Sequence, residues 1–119
     1  MEYIHKKKVL YRDLKPENIF VDVGGHLRIG DFGMSKCDFE EEDFTTSVCG
    51  SPEYMAPEVI DNQNYNFSAD FYSIGAILYE LLTGVPPYYN ETQDDEERLR
   101  LIKSMSLDLV RVTEDPHLQ

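Results

Sequence analysis

The sequence predicts an α+β chain, mostly helical, with a short β-hairpin near its N-terminal end. Three observations carry that expectation. Ile19-Phe20-Val21-Asp22-Val23 and Leu27-Arg28-Ile29 are short β-prone runs flanking Gly24-Gly25, whose freedom at positive φ suits a tight turn. Apolar residues recur at helical spacing from Ser68 to Thr83, and Gly84 stands where a helix stop favours glycine. A second helical pattern, from about Gln93 to Met105, opens on acids and closes on bases.

Each element has a local reason. Met1 to Lys8 reads as the end of a helix: Met1 and Ile4 share a face, and Lys6-Lys7-Lys8 complement the negative end of its dipole. The same lysines are also candidates for holding an anion. Met34 to Met55 has no sustained period and carries the acidic run Asp38-Phe39-Glu40-Glu41-Glu42-Asp43, so it reads as a long loop with a solvated, mobile tip. Ser68 is placed to cap the following helix, with Asp70 in its first turn. That helix is apolar around nearly its whole circumference, the pattern of a helix buried on every side. Pro86-Pro87 breaks the chain, and Thr92 with Asp95 forms a capping-box pattern at the start of the last helix.

Composition narrows the function. Leu, Ile, Val and Phe make up more than a quarter of the 119 residues, above the roughly 20% below which disorder is the default. A net charge of −12 argues against nucleic acid and anionic membranes as partners, since both need clustered cations. No apolar run approaches the ~20 residues of a membrane span, and no signal peptide is recognisable. Two cysteines, Cys37 and Cys49, do not make a disulfide framework. The expected location is cytoplasmic, the nucleus being compatible with the same features.

Three blocks in fixed order carry the chemistry: Tyr11-Arg12-Asp13-Leu14-Lys15-Pro16-Glu17-Asn18, then Asp31-Phe32-Gly33, then Ala56-Pro57-Glu58. Any one of these acids or amides alone is as well explained as a turn former. Together the blocks resemble the catalytic loop, magnesium loop and activation-segment end of eukaryotic protein kinases. The implied fold is protein-kinase-like: a mostly helical C-terminal lobe with short β-hairpins, the N-terminal lobe being absent. Residues 1–119 then form a partial kinase domain. It divides into catalytic and magnesium loops (1–33), an activation segment (34–58), and the central and following helices (59–119).

The resemblance assigns roles. Asp13 is similar to the carboxylate that takes or orients the substrate hydroxyl proton, and Lys15 to the cation on the γ-phosphate. Asn18 and Asp31 match the Mg²⁺ ligands, so ATP and Mg²⁺ are the implied cofactors, with Phe20 in the floor under the adenine. Lys15-Pro16-Glu17 resembles serine/threonine rather than tyrosine kinases, and Tyr11, where His is commoner, resembles the AGC group. Ser47 matches that group's regulatory phosphosite, with Arg12 and Lys36 as its cationic partners and an upstream activating kinase implied. Ser51 resembles the hydroxyl residue that bonds Asp13 and Lys15. Val48, Pro52 and Met55 match the wall of the pocket for the residue after the acceptor. Glu17 and Glu80 match positions that pair with basic residues before it, although Glu80 is also readable as a solvated helix edge. Tyr11, Phe32, Gly33, Glu58 and Asp70 match structural positions. The partners implied are protein substrates with basic residues before the acceptor.

Parts of the family pattern lie outside this sequence. No Gly-x-Gly-x-x-Gly occurs, and no lysine sits in a Val-Ala-Ile-Lys-like strand. The arginine that pairs with Glu58 in the family is not identifiable, Arg98, Arg100 and Arg111 being the candidates. The isolated 119-residue chain is therefore expected to be inactive, although intact residues at the catalytic positions favour a segment of a working serine/threonine kinase. The alternatives are a truncated, non-catalytic binding or decoy module and a remnant without a stable fold. His5, His26 and His117 show no ligand-like spacing and receive no catalytic role.

Overall fold

The computed structural model describes residues 1–89 and 94–104. Helix α1 (Glu2–Lys6) leads through an extended segment to a 3-10 turn at Pro16–Asn18. Strands β1 (Ile19–Val21) and β2 (Leu27–Ile29) follow. A second 3-10 turn, Pro52–Tyr54, precedes α2 (Pro57–Ile60), α3 (Ser68–Thr83) and α4 (Asp95–Ser104). The hairpin is antiparallel, with Ile19 opposite Ile29 and Val21 opposite Leu27. β1 stops two residues short of the predicted strand because the Asp22 carboxylate turns back to accept the Gly24 and His26 amides. Of the two glycines, only Gly25 uses a positive φ, 81°.

α3 is the axis. Its Ala69 joins Leu10, Phe39, Ala56, Val59 and Tyr65 in one core, while its Ala76 and Ile77 join Tyr11, Leu14 and Tyr54 in another. Neighbours Leu10 and Tyr11 enter different cores because an extended chain sends successive side chains to opposite sides. Gly84 ends α3 in the left-handed conformation, its amide bonded to the Glu80 carbonyl. At the other end Ser68 is the first helical residue rather than the cap: Phe67 stands at the cap position, and the Asn66 side-chain oxygen accepts the Ser68 amide at 3.0 Å. Phe71, Ile74, Leu78 and Leu81 remain exposed, so α3 is not buried on every side. Burial needs partners, and among the described residues they lie on one side of the helix.

α4 begins at Asp95, where the Asp94 side chain accepts the Glu96 amide. The capping-box residue Thr92 and the predicted ends Gln93 and Met105 lie outside the described residues, as do Arg111 and His117. α4 packs on α2 through buried Ile102 and a 2.6 Å Lys103–Asp61 ion pair. No helix among the described residues is long and apolar enough to cross a membrane.

The lysine run forms a solvated end to α1, with Lys6 paired to Glu2, Lys7 over the Tyr3 ring and Lys8 paired to Glu40 at the surface. One expectation at the N-terminal side is revised. The acidic loop is anchored rather than a free tip. Phe39 is only 1% exposed, its amide bonds the Lys8 carbonyl, and its ring meets Phe67 edge-on. Removing a buried aromatic ring costs about 3–5 kcal/mol. Phe39→Ala is therefore expected to lower unfolding stability by about that amount, measured by urea denaturation, whereas a residue on a solvated tip would shift it negligibly.

Candidate active site

The first sequence block is held in place by one buried carboxylate. Asp70, 1% exposed in the first turn of α3, accepts the backbone amides of Tyr11 at 2.9 Å and Arg12 at 2.8 Å. His5 Nε2 lies 2.8 Å from the same carboxylate, its ring packed against Phe67 and Phe71. These bonds hold Arg12 at φ 74°, a left-handed conformation that non-glycine residues rarely adopt. Gly50 completes the fit: at φ 110°, a Cβ on it would stand 2.6 Å from the Arg12 carbonyl oxygen.

Beyond that bend the side chains converge. Lys15 Nζ is 3.2 Å from Asp13 Oδ2 and donates to Ser51 Oγ at 2.9 Å. The Ser51 hydroxyl donates to Asp13 Oδ1 at 3.1 Å. The Pro16–Asn18 turn brings Asn18 back so that its Nδ2 donates to the Asp13 carbonyl at 2.9 Å and to Asp13 Oδ2 at 3.2 Å. The Asp13 side chain is largely buried yet not sealed, 12% exposed. Ser51, far away in sequence, thus bridges Asp13 and Lys15 as expected.

Tyr11 connects the first two blocks. Its hydroxyl donates to the Gly30 and Asp31 carbonyls, and its ring meets Phe32 edge-on at 5.1 Å. Burial, reinforced by the charges of Asp13 and Asp31, pushes this phenol up to about 12. Asp31 itself is at φ 52°, its Oδ1 accepting the Gly33 amide. Phe20 is exposed on β1 and lies against Gly30, where a Cβ would come within 2.7 Å of its ring. This leaves an open apolar platform beside Asp31.

A hard divalent cation is matched by oxygen donors here. Asn18 Nδ2 donates to Asp13, leaving Oδ1, and Asp31 Oδ1 accepts the Gly33 amide, leaving Oδ2. Among the described residues no cluster of three His, Cys, Asp or Glu could hold a metal by itself. Two protein oxygens suit Mg²⁺, which commonly takes one or two carboxylates and completes its shell with phosphates and water.

The remaining predicted residues are placed variously. Glu80 is no incidental helix edge: it accepts the Tyr54 hydroxyl at 2.6 Å. Burial and the bond to Glu80, with the charges of Glu80, Glu17 and Glu53, raise that phenol well above its usual range. Met55 packs against the Leu10 core, Val48 is exposed, and Pro52 opens the 3-10 turn. Ser47 is exposed, with its carbonyl accepting the Tyr65 hydroxyl at 2.5 Å. Neither expected cation is hydrogen-bonded to the Ser47 hydroxyl: Arg12 Nε donates to the Met34 carbonyl, and Lys36 lies over the Phe39 ring. Glu58 has no ion-pair partner among the described residues. Arg98 instead bonds Glu53 and Asp95, and Arg100 lies near Glu96 and Glu97. Cys37 and Cys49 are free thiols.

Sequence reasoning passed over His5, Tyr65 and the Arg98–Glu53 pair. A histidine six positions before Tyr11, in a stretch otherwise read as a helix end, was the only signal for the first. The other two carry none.

This arrangement of an Asp-Lys-Ser-Asn cluster hung from a helix carboxylate defines a class. Residues 1–118 match the protein kinase domain, and the chain belongs to that family. Its relatives are serine/threonine kinases of the AGC type. It is 48% identical over 82% of its length to serine/threonine protein kinase ypkA of Aspergillus fumigatus, covering 15% of that protein. Human serine/threonine-protein kinase Sgk2 is 48% identical over 75% of the chain, which covers 24% of it. Yeast cAMP-dependent protein kinase type 3 is 49% identical over 76% of the chain, which covers 22% of it. The chain thus spans less than a quarter of the length of each of these relatives.

The Tyr11 phenol links folding to pH. Below pH 10 it is protonated whether the chain is folded or not. Above pH 10 the unfolded chain ionises first, while the folded state keeps the proton to about 12, so stability falls across that window. Tyr11→Phe is expected to flatten the decline between pH 10 and 12 relative to wild type. It should also lower stability at pH 8 by about 1–3 kcal/mol through the orphaned carbonyls, both read from urea unfolding curves.

Proposed function

We propose that this segment carries the phosphoryl-transfer machinery of an AGC-like serine/threonine kinase. In the complete domain it serves transfer of the ATP γ-phosphoryl group to Ser or Thr of protein substrates. The observation that supports this most directly is the convergence of Lys15, Ser51 and Asn18 on Asp13, each 3.1–3.2 Å from its carboxylate. In that reading Asp13 is the catalytic residue that accepts or orients the acceptor hydroxyl proton, and Ser51 and Asn18 fix its carboxylate for in-line attack. Lys15 steadies the transferring phosphate. Asn18 Oδ1 and Asp31 would hold Mg²⁺, which when bound neutralises charge on the phosphate oxygens, and Phe20 would lie under the adenine. Val48, Pro52 and Met55 would shape the site for the residue after the acceptor, and Glu17 and Glu80 would favour basic residues before it.

Asp13→Asn in the complete kinase removes the proton acceptor while sparing the shape. It is expected to lower kcat by about 10²–10⁴-fold with little change in melting temperature. Undiminished transfer would overturn the proposal. The second reading, a non-catalytic binding module, is favoured by the exposed Phe71, Leu78 and Leu81 stripe of α3, and would leave biological output indifferent to Asp13→Asn. The isolated chain is proposed to be inactive, since the residues for the α- and β-phosphates are not in it, and the protein is proposed to reside in the cytoplasm.

Phosphorylation of the exposed Ser47 by an upstream kinase would pull Arg12 and Lys36 toward the loop as charge-assisted partners. Ser47→Ala is accordingly expected to cut the activity of the complete kinase at least about tenfold. A kinase assay showing wild-type rates would remove Ser47 as the switch.

A further inference from the structure

One carboxylate bonds the Tyr54 phenol and two more charges act on it. Glu80 accepts its hydroxyl, and the charges of Glu17 and Glu53 act on it as well. Among the described residues, Glu17 and Glu80 have no cationic partner. Glu53 does: Arg98 Nη1, from α4, reaches across 45 positions to its Oε1 at 2.8 Å. Tyr54 and Glu53 sit on the Pro52–Tyr54 turn directly after Ser51, so the acidic group adjoins the Asp13 cluster.

Arg98 is an odd choice for packing. It is 6% exposed, yet its Nε finds no hydrogen-bond acceptor, and Nη1 is shared between Glu53 and the exposed carboxylate of Asp95. A buried guanidinium with an unmet donor forfeits hydration that an apolar side chain of the same length would never need to surrender. What the arginine supplies, and methionine or leucine would not, is a cation held against Glu53.

We propose that Arg98 is a specificity-determining residue: it occupies Glu53 as an internal counter-ion, leaving only Glu17 and Glu80 to receive a basic substrate. The inference rests on the reading of this patch as the site for residues before the acceptor. Arg98 does not touch the reacting atoms. It sets how many cationic side chains the substrate needs, by holding one of the three acids itself.

The test uses the complete kinase and a peptide set in which arginine or alanine stands at each position around an acceptor serine. Arg98→Met keeps the length and packing of the side chain while removing the cation. It is expected to raise the arginine-over-alanine ratio in kcat/KM by about fivefold at one additional position, chiefly through KM. Arg98→Lys should keep the wild-type pattern, and adding Glu53→Gln to Arg98→Met should erase the gain. Unchanged ratios at every position in a folded Arg98→Met protein would reduce Arg98 to a clamp between α4 and the turn, and overturn the proposal. If Arg98→Met does not fold, Glu53→Gln alone decides. Ratios within about twofold of wild type support the internal pairing, while a fall of about fivefold or more means Glu53 already reads the substrate, and the proposal fails. Wild-type enzyme that transfers phosphate to no peptide would overturn the function proposed above and this inference with it. A failure confined to the ratios would leave that function standing.

Discussion

The buried carboxylate of Asp70 is the point from which the site hangs. It stands in the first turn of α3, where the helix dipole favours negative charge, and it accepts two consecutive backbone amides, Tyr11 and Arg12. Consecutive amides point the same way only when the chain bends, and the bend here is the left-handed Arg12. Each of those donors, left unmet in the interior, would cost about 1–3 kcal/mol. The Asp13 cluster follows one residue later, so its position is set by α3 rather than by its own loop. His5 contacts the same carboxylate and ties the end of α1 into the arrangement.

Strain and close approach are concentrated around this point. Arg12 and Asp31 both take positive φ, and Gly50 brings the later loop against the Arg12 carbonyl where no side chain would fit. Conformations of this kind persist only where the surroundings over-determine them, and they gather at sites where geometry matters more than stability. The approach of Gly50 also carries Ser51 to Asp13. The spacing between the glycine and the serine is thus what converts a backbone contact into a side-chain relay.

Charge is distributed with the same economy. The basic residues near the N-terminal end are matched within the protein, as is Arg98, while among the described residues Glu17 and Glu80 have no cationic partner, Glu80 accepting only the Tyr54 hydroxyl. The net −12 therefore is not a uniform solvated coat. Part of it is local, shaped by which acids the protein neutralises for itself.

The sequence by itself determined the hairpin, the span and glycine stop of α3, and the local grouping of Asp13, Lys15 and Asn18. These are legible because turn chemistry, helical periodicity and contiguous motifs act over a few residues. Only the tertiary structure decided that Phe39 leaves its acidic run for the core, that Phe67 rather than Ser68 stands at the cap of α3, and that among the described residues one face of α3 has no packing partner. It likewise chose Glu53 over Glu58 for Arg98 and brought His5 to Asp70 across 65 positions. Such pairings follow from which surfaces the packed helices bring within reach. A buried charge or ring is chosen by its surroundings, and those surroundings are written in residues far along the chain.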